Sequence, residues 1–196
     1  MIRQRVCGHA SNNKAKRGIT YSVVFVLLLG CIGLALTGCK QVPATFTDGV
    51  GRSITLEKTP EKIVSLSPAH TEILFALGLG DKVVGVSNWC NKPEEALEKE
   101  KVGDAFRLNK EKLVSLKPDS VCIPGSADSP QVKEIEDLGI PVYVSNPATV
   151  SEVFEEIERV AEVTGVADRG RQLVEEMQEE LGKLKGKLEE HEGPKP

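Results

Sequence analysis

A parallel α/β domain of about four strands, extended by a long C-terminal helix, is predicted from three observations. Short aliphatic runs alternate with helical patterns at the spacing of a right-handed β/α repeat whose sheet is covered on both faces. One stretch, Ile63 to Gly80, shows the unit most plainly: Ile63-Val64-Ser65-Leu66 is a strand, Ser67-Pro68 a tight loop, and Thr71 to Leu77 a helical pattern closed by Gly78. Proline near a first helical turn loses nothing, and glycine just past the last apolar residue accepts a left-handed conformation. The last third of the chain drops the strand pattern and keeps a helical period.

Taken in order, Ala44 to Thr47 and Arg52 to Leu56 flank Asp48-Gly49-Val50-Gly51, a hairpin signal that reads as a small lid on the main body. Lys82 to Val86 is a second strand of the sheet, ending at Ser87-Asn88-Trp89-Cys90. Glu94 to Lys99 suits a short surface helix, and Val102 to Leu108 a loop. Asn109 is the expected N-cap of a helix running to Leu116 and stopped by Lys117-Pro118. A third strand, Ser120 to Ile123, leads through a Gly/Ser/Pro loop to a helix over Gln131 to Leu138, and Pro141 to Val144 is the fourth. Val150, Val153, Phe154, Ile157, Val160 and Ala161 then mark one face of a helix. The helix after it, from Ala167 to Glu190, would be about 36 Å long. Its stripe of Leu173, Val174, Met177, Leu181, Leu184 and Leu188 needs something further to pack against.

Charge is unevenly spread. The first forty-seven residues hold no Asp or Glu, while Arg3, Arg5, Lys14, Lys16 and Arg17 crowd the amino end. Removing those five from the 25 basic side chains leaves 20 against 29 acidic ones, the wrong sign for a nucleic-acid partner. The basic start, the apolar run Ile19 to Leu36 and the small residues before Cys39 have the build of a signal peptide over residues 1–38. Of the five cysteines only Cys90 and Cys122 then remain in the folded part, expected as a loop thiol and a buried strand thiol without a bridge.

In open parallel sheets, ligands lie beyond the carboxyl ends of the strands and face helix N-termini. Ser67, Pro68, Ala69 and His70 are therefore candidate site walls, as are Trp89, Pro124 and Gly125 on neighbouring exits. Trp89, the sole tryptophan, is an odd choice for filling a core from a loop. His70 and Cys90 lack the paired spacing of metal ligands, so no metal or cofactor is expected. The acidic run Glu152, Glu155, Glu156 and Glu158 suits a solvated helix face.

Several motifs together resemble a known family. The segment SLSPAHTEILFALGLGDKVVGVS, the Asn109-Lys110-Glu111 helix start, LVSLKPDSV, LGIPVYV and the long terminal helix are similar to the substrate-binding proteins of ABC importers for cobalamin, ferric siderophores and haem. LTGC at Cys39 likewise resembles a lipoprotein lipobox, implying lipidation of Cys39 and a lipid-anchored, extracytoplasmic protein. The resemblance runs from Phe46 to Glu190. It implies a Rossmann-like lobe over 39–165, an inter-lobe backbone helix over 166–190, and a start of a second, absent lobe at 191–196. It further implies a bulky metal chelate as ligand, ABC permease and ATPase subunits as partners, Glu111 as the permease-docking carboxylate, and Trp89 as a cleft aromatic. Two other cleft aromatics of the cobalamin-binding member are replaced by Ala105 and Pro124, with Phe106 adjacent. The alternative is an extracytoplasmic α/β enzyme holding a phosphorylated ligand at the Ser67 loop, although no G-x-G-x-x-G or G-x-x-x-x-G-K-[ST] pattern is present.

Overall fold

The computed structural model describes residues 43–104 and 107–191. Strands β1 (Ala44–Thr47) and β2 (Ser53–Leu56) form an antiparallel hairpin. A parallel sheet then takes β3 (Ile63–Ser65), β4 (Val83–Val86), β5 (Glu100–Lys101), β6 (Ser120–Pro124) and β7 (Val142–Ser145), in the order β5-β4-β3-β6-β7. The helices are α1 (Pro68–Ala76), α2 (Lys110–Leu116), α3 (Pro130–Glu136), α4 (Val150–Val163) and α5 (Ala167–His191), with 3₁₀ turns at Gly80–Lys82 and Glu94–Glu98. β5 is the strand that sequence patterning misses: at two residues it is too short for a period, and only pairing of Gly85 with Glu100 and Val86 with Lys101 defines it.

Alternation along each strand divides the interior. Val64, Val121, Ile123, Val142 and Val144 turn to one face, where Leu113 of α2 and Val132 and Ile135 of α3 cover them. Ile63, Cys122 and Tyr143 turn to the other, under α1, α4 and the start of α5 through Leu74, Leu77, Ile157, Val160 and Val174. Both faces are thus buried, as a parallel sheet requires. The hairpin belongs to this core rather than lying over it as a lid, since Ile54 and Leu56 are buried in the second cluster. Asp48 fixes it. Fully buried, its carboxylate accepts the N–H groups of Val50 and Arg52, the Arg52 guanidinium at 3.1 Å, and the Val144 N–H of β7 at 3.3 Å.

Helix α5 packs on α4 only through its first turns. The close approach is made by Gly170, where an added Cβ would stand 2.4 Å from the Ala161 methyl. Gly170→Leu is therefore expected to destabilise the domain by about 2 kcal/mol or more, as overpacking does. Urea unfolding measures it, and an unchanged midpoint would rule out the tight α4–α5 seam. Beyond Val174, every residue through Leu188 is exposed except Leu181, which is partly so. Met177, Leu184 and Leu188 stand in solvent at 37%, 57% and 66% exposure.

Candidate ligand site at the carboxyl end of the sheet

The chain leaves β3 toward β4 on one side and β6 toward β7 on the other, so the strand order reverses between β3 and β6 while all strands stay parallel. That is where open α/β sheets form a crevice. The two strands are in register, with Ser65 beside Cys122, and Leu66 N–H donates to the Cys122 carbonyl at 2.8 Å. Pro68 and Ala69 after β3, Trp89 after β4, and Pro124 and Gly125, the last residue of β6 and the one that follows it, all stand at strand exits. Pro68, Ala69, Trp89 and Pro124 are exposed, and Gly125 is half-buried with its N–H donated to the Ser145 carbonyl at 3.1 Å. Phe106 lies outside the described residues.

Two of the expected walls face inward instead. Ser67 is 6% exposed, and its hydroxyl caps α1 by accepting the His70 N–H, so α1 begins three residues earlier than the apolar pattern starts. The Ser67 hydroxyl is therefore spent on the helix cap rather than turned toward a phosphate. His70 is 3% exposed and its Nε2 lies 2.8 Å from Glu156 Oε1. Glu156, expected on a solvated face, is itself buried and accepts the Tyr143 hydroxyl at 3.2 Å on its other oxygen. His70 and Tyr143 rings meet edge to face. Gly49 of the hairpin closes over this group so tightly that a Cβ there would stand 2.6 Å from Glu156 Oε2. The cluster joins α1, β7, α4 and the hairpin beneath the crevice, and its role is to hold those elements together.

Burial, and then the Glu156 charge, push the Cys122 thiol up to about 12, and the same two causes raise the Tyr143 phenol. A group whose folded pKa is raised stabilises the fold in full below its unfolded pKa and loses that contribution as pH rises through the folded value. For Cys122 the window runs from 9.0 to about 12. Over it, circular dichroism in urea should show stability falling by up to about 4 kcal/mol. A flat profile through that window would contradict the buried, protonated thiol. Cys90 is also free and buried, so the loop thiol is a core residue: its sulfur lies 3.1 Å from both Thr71 Oγ1 and Ser87 Oγ.

Trp89 is 68% exposed, yet the backbone beneath it is pinned. Ser87 N–H donates to Ser65, Asn88 N–H to Gly103 at 2.8 Å, Trp89 N–H to the Ser87 hydroxyl, and Cys90 N–H to Ser87. The ring is thus held out in solvent by a rigid loop, which leaves little ordering entropy to be lost on any contact it makes. Glu111 is exposed in the first turn of α2, the helix entered from the carboxyl end of β5. Its neighbours Lys110 and Lys112 are engaged by Glu134 at 3.0 Å and Glu100 at 2.7 Å, while Glu111 forms no ion pair among the described residues.

Residues 63–196 match the family described as periplasmic binding protein. The ABC transporter substrate-binding lipoprotein YvrC of Bacillus subtilis is 43% identical over 149 residues, which is 74% of this chain and 47% of that protein. The periplasmic vitamin B12-binding protein of Vibrio cholerae superposes with a TM-score of 0.58 at 33% identity, covering 66% of this chain and 51% of that one. A periplasmic haem-binding protein from Roseiflexus sp. RS-1 does so with a TM-score of 0.56 at 31% identity, over 63% and 48%. The chain spans about half the length of the relatives it matches, and those relatives are solute-binding proteins rather than enzymes. A parallel sheet with its mouth at a topological switch point, a long trailing helix and these matches lead to one conclusion: the chain belongs to the periplasmic binding protein family.

Proposed function

We propose that the chain is one lobe of a lipid-anchored solute-binding component of an ABC importer. In this reading it captures a bulky metal chelate (cobalamin, a ferric siderophore or haem) against Trp89, Pro68, Ala69, Pro124 and Gly125. The observation that carries it is the exposed Trp89 on its pinned loop beside the switch point. Support for a chelate comes from relatives named for vitamin B12 and haem. Cys39, which lies outside the described residues, is the proposed lipidated anchor; the relative named as a lipoprotein supports it. The unpartnered apolar residues Met177, Leu184 and Leu188 support α5 as a strut whose far half packs against a second lobe.

Because Trp89 is the only tryptophan, its emission reports the site alone. Titration with cyanocobalamin, haemin and a ferric hydroxamate should give saturable quenching by at least one of them. If none of the three quenches, the chelate reading fails.

Docking on the permease is assigned to Glu111, whose carboxylate is left available while the lysines on either side are held by other acids. Glu111→Lys should weaken capture by permease-containing proteoliposomes by about tenfold or more, the cost of juxtaposing like charges at an interface. It should leave chelate quenching of Trp89 unchanged. Equal capture of both proteins would remove Glu111 from the docking face.

A further inference from the structure

The loop that presents Trp89 rests on a side chain from a neighbouring strand. Lys101, the last residue of β5, sends its Nζ inward beneath the 87–96 segment. There it donates to the Cys90 carbonyl at 2.8 Å and reaches the Ala96 carbonyl at 3.4 Å and the Ser87 carbonyl at 3.5 Å. An ammonium has three donors, and here three carbonyls from one loop surround it. No ion pair among the described residues includes Lys101, so the backbone dipoles of this loop are its counter-charge. The Cys90 carbonyl directly follows Trp89, and the Ser87 residue whose hydroxyl accepts the Trp89 N–H is a second ligand of the same ammonium. Ala96 belongs to the 3₁₀ turn Glu94–Glu98, so the cation also ties the far end of the loop to its near end. Ser87, Cys90 and Ala96 are all fully buried, and water is poorly placed to replace the lost donor.

We propose that Lys101 is the positioning residue of the Trp89 wall: its ammonium, held by the Ser87, Cys90 and Ala96 carbonyls, fixes the loop in the shape that keeps the indole presented to ligand. The inference rests on Trp89 being a ligand wall, but the order of the loop is measured without ligand. Charge-assisted hydrogen bonds are the strong ones, and a compact cation with three donors fits a cluster of carbonyls better than a neutral side chain does.

Time-resolved anisotropy of Trp89 in the full ligand-free chain provides the test. In Lys101→Met the amplitude of fast local motion should rise by about twofold or more, and the affinity for whichever of cyanocobalamin or haemin quenches the wild type should fall by about tenfold, mainly through faster release. Lys101→Arg should restore most of the order. Lys101→Ala should recover it in ammonium chloride and not in sodium chloride at the same ionic strength, a response that a merely space-filling lysine would not give. Unchanged anisotropy in Lys101→Met overturns the proposal. So does failure of both the arginine variant and ammonium to restore order. If none of cyanocobalamin, haemin and the ferric hydroxamate quenches the wild type while Lys101→Met still frees the indole, the positioning role holds and the chelate reading falls. If both proteins bind a probe equally with equal anisotropy, the reverse follows.

Discussion

Trp89→Ala should lower chelate affinity by about 30-fold or more, the loss expected when an aromatic anchor is cut from a binding surface. The same substitution should shift unfolding free energy by no more than about 0.5 kcal/mol, because the ring is 68% exposed and contributes little to the core. The loop keeps its shape without the ring, since the bonds that pin it are made by backbone atoms, the Ser87 hydroxyl and the Lys101 ammonium. Calorimetric titration and a urea curve on the same preparation separate the two effects. A large drop in stability with affinity retained would make Trp89 a structural residue and leave the crevice without its principal wall.

Among substitutions, the largest stability effect is expected at Glu156. Glu156→Ala removes the partner of both His70 Nε2 and the Tyr143 hydroxyl, each buried, and opens space beneath Gly49. Breaking a buried, hydrogen-bonded group of this kind costs about 3 kcal/mol or more. The double variant His70→Leu with Glu156→Leu should recover part of that loss, because the imidazole is then no longer stranded and the volume is refilled, with only the Tyr143 hydroxyl left without its acceptor. Urea unfolding of wild type, single and double variants makes the comparison. A single-variant loss under about 1 kcal/mol would show that the cluster is not what joins α1, β7, α4 and the hairpin.

The β/α order was legible because each strand is a short aliphatic run followed by punctuation with a physical cause. Asn109 caps α2 as its position suggests, its side chain accepting the Lys112 N–H at 2.9 Å, and Gly139 adopts a φ of 78° after α3. The hairpin at Asp48-Gly49 was equally plain, though its burial was not. Linear patterning carries no trace of interactions between elements far apart in sequence. Glu156 stands three residues after Val153 and four before Val160, so helical spacing alone puts it on the apolar stripe. Its charge suggested solvent instead, and only the fold brings His70 and Tyr143 to it. His70 and Ser67 follow the same logic in reverse: they stand at a strand exit, but one is claimed by that buried carboxylate and the other by the helix N-terminus. Lys101 could not be singled out at all, since a two-residue strand has no pattern and its three carbonyl partners come from a loop. Trp89 stood out as a candidate by its uniqueness and its place after β4, and the structure adds that it is exposed on a pinned loop.

Anomalous scattering from the metal of a bound chelate, in crystals grown with whichever of cyanocobalamin or haemin quenches Trp89, tests the central claim most directly. The account places the metal peak over the carboxyl ends of β3 and β6, with the macrocycle against Trp89 and flanked by Pro68 and Pro124. A single peak elsewhere, for example in the groove between α4 and α5 lined by Glu155, Glu158 and Arg171, would contradict it.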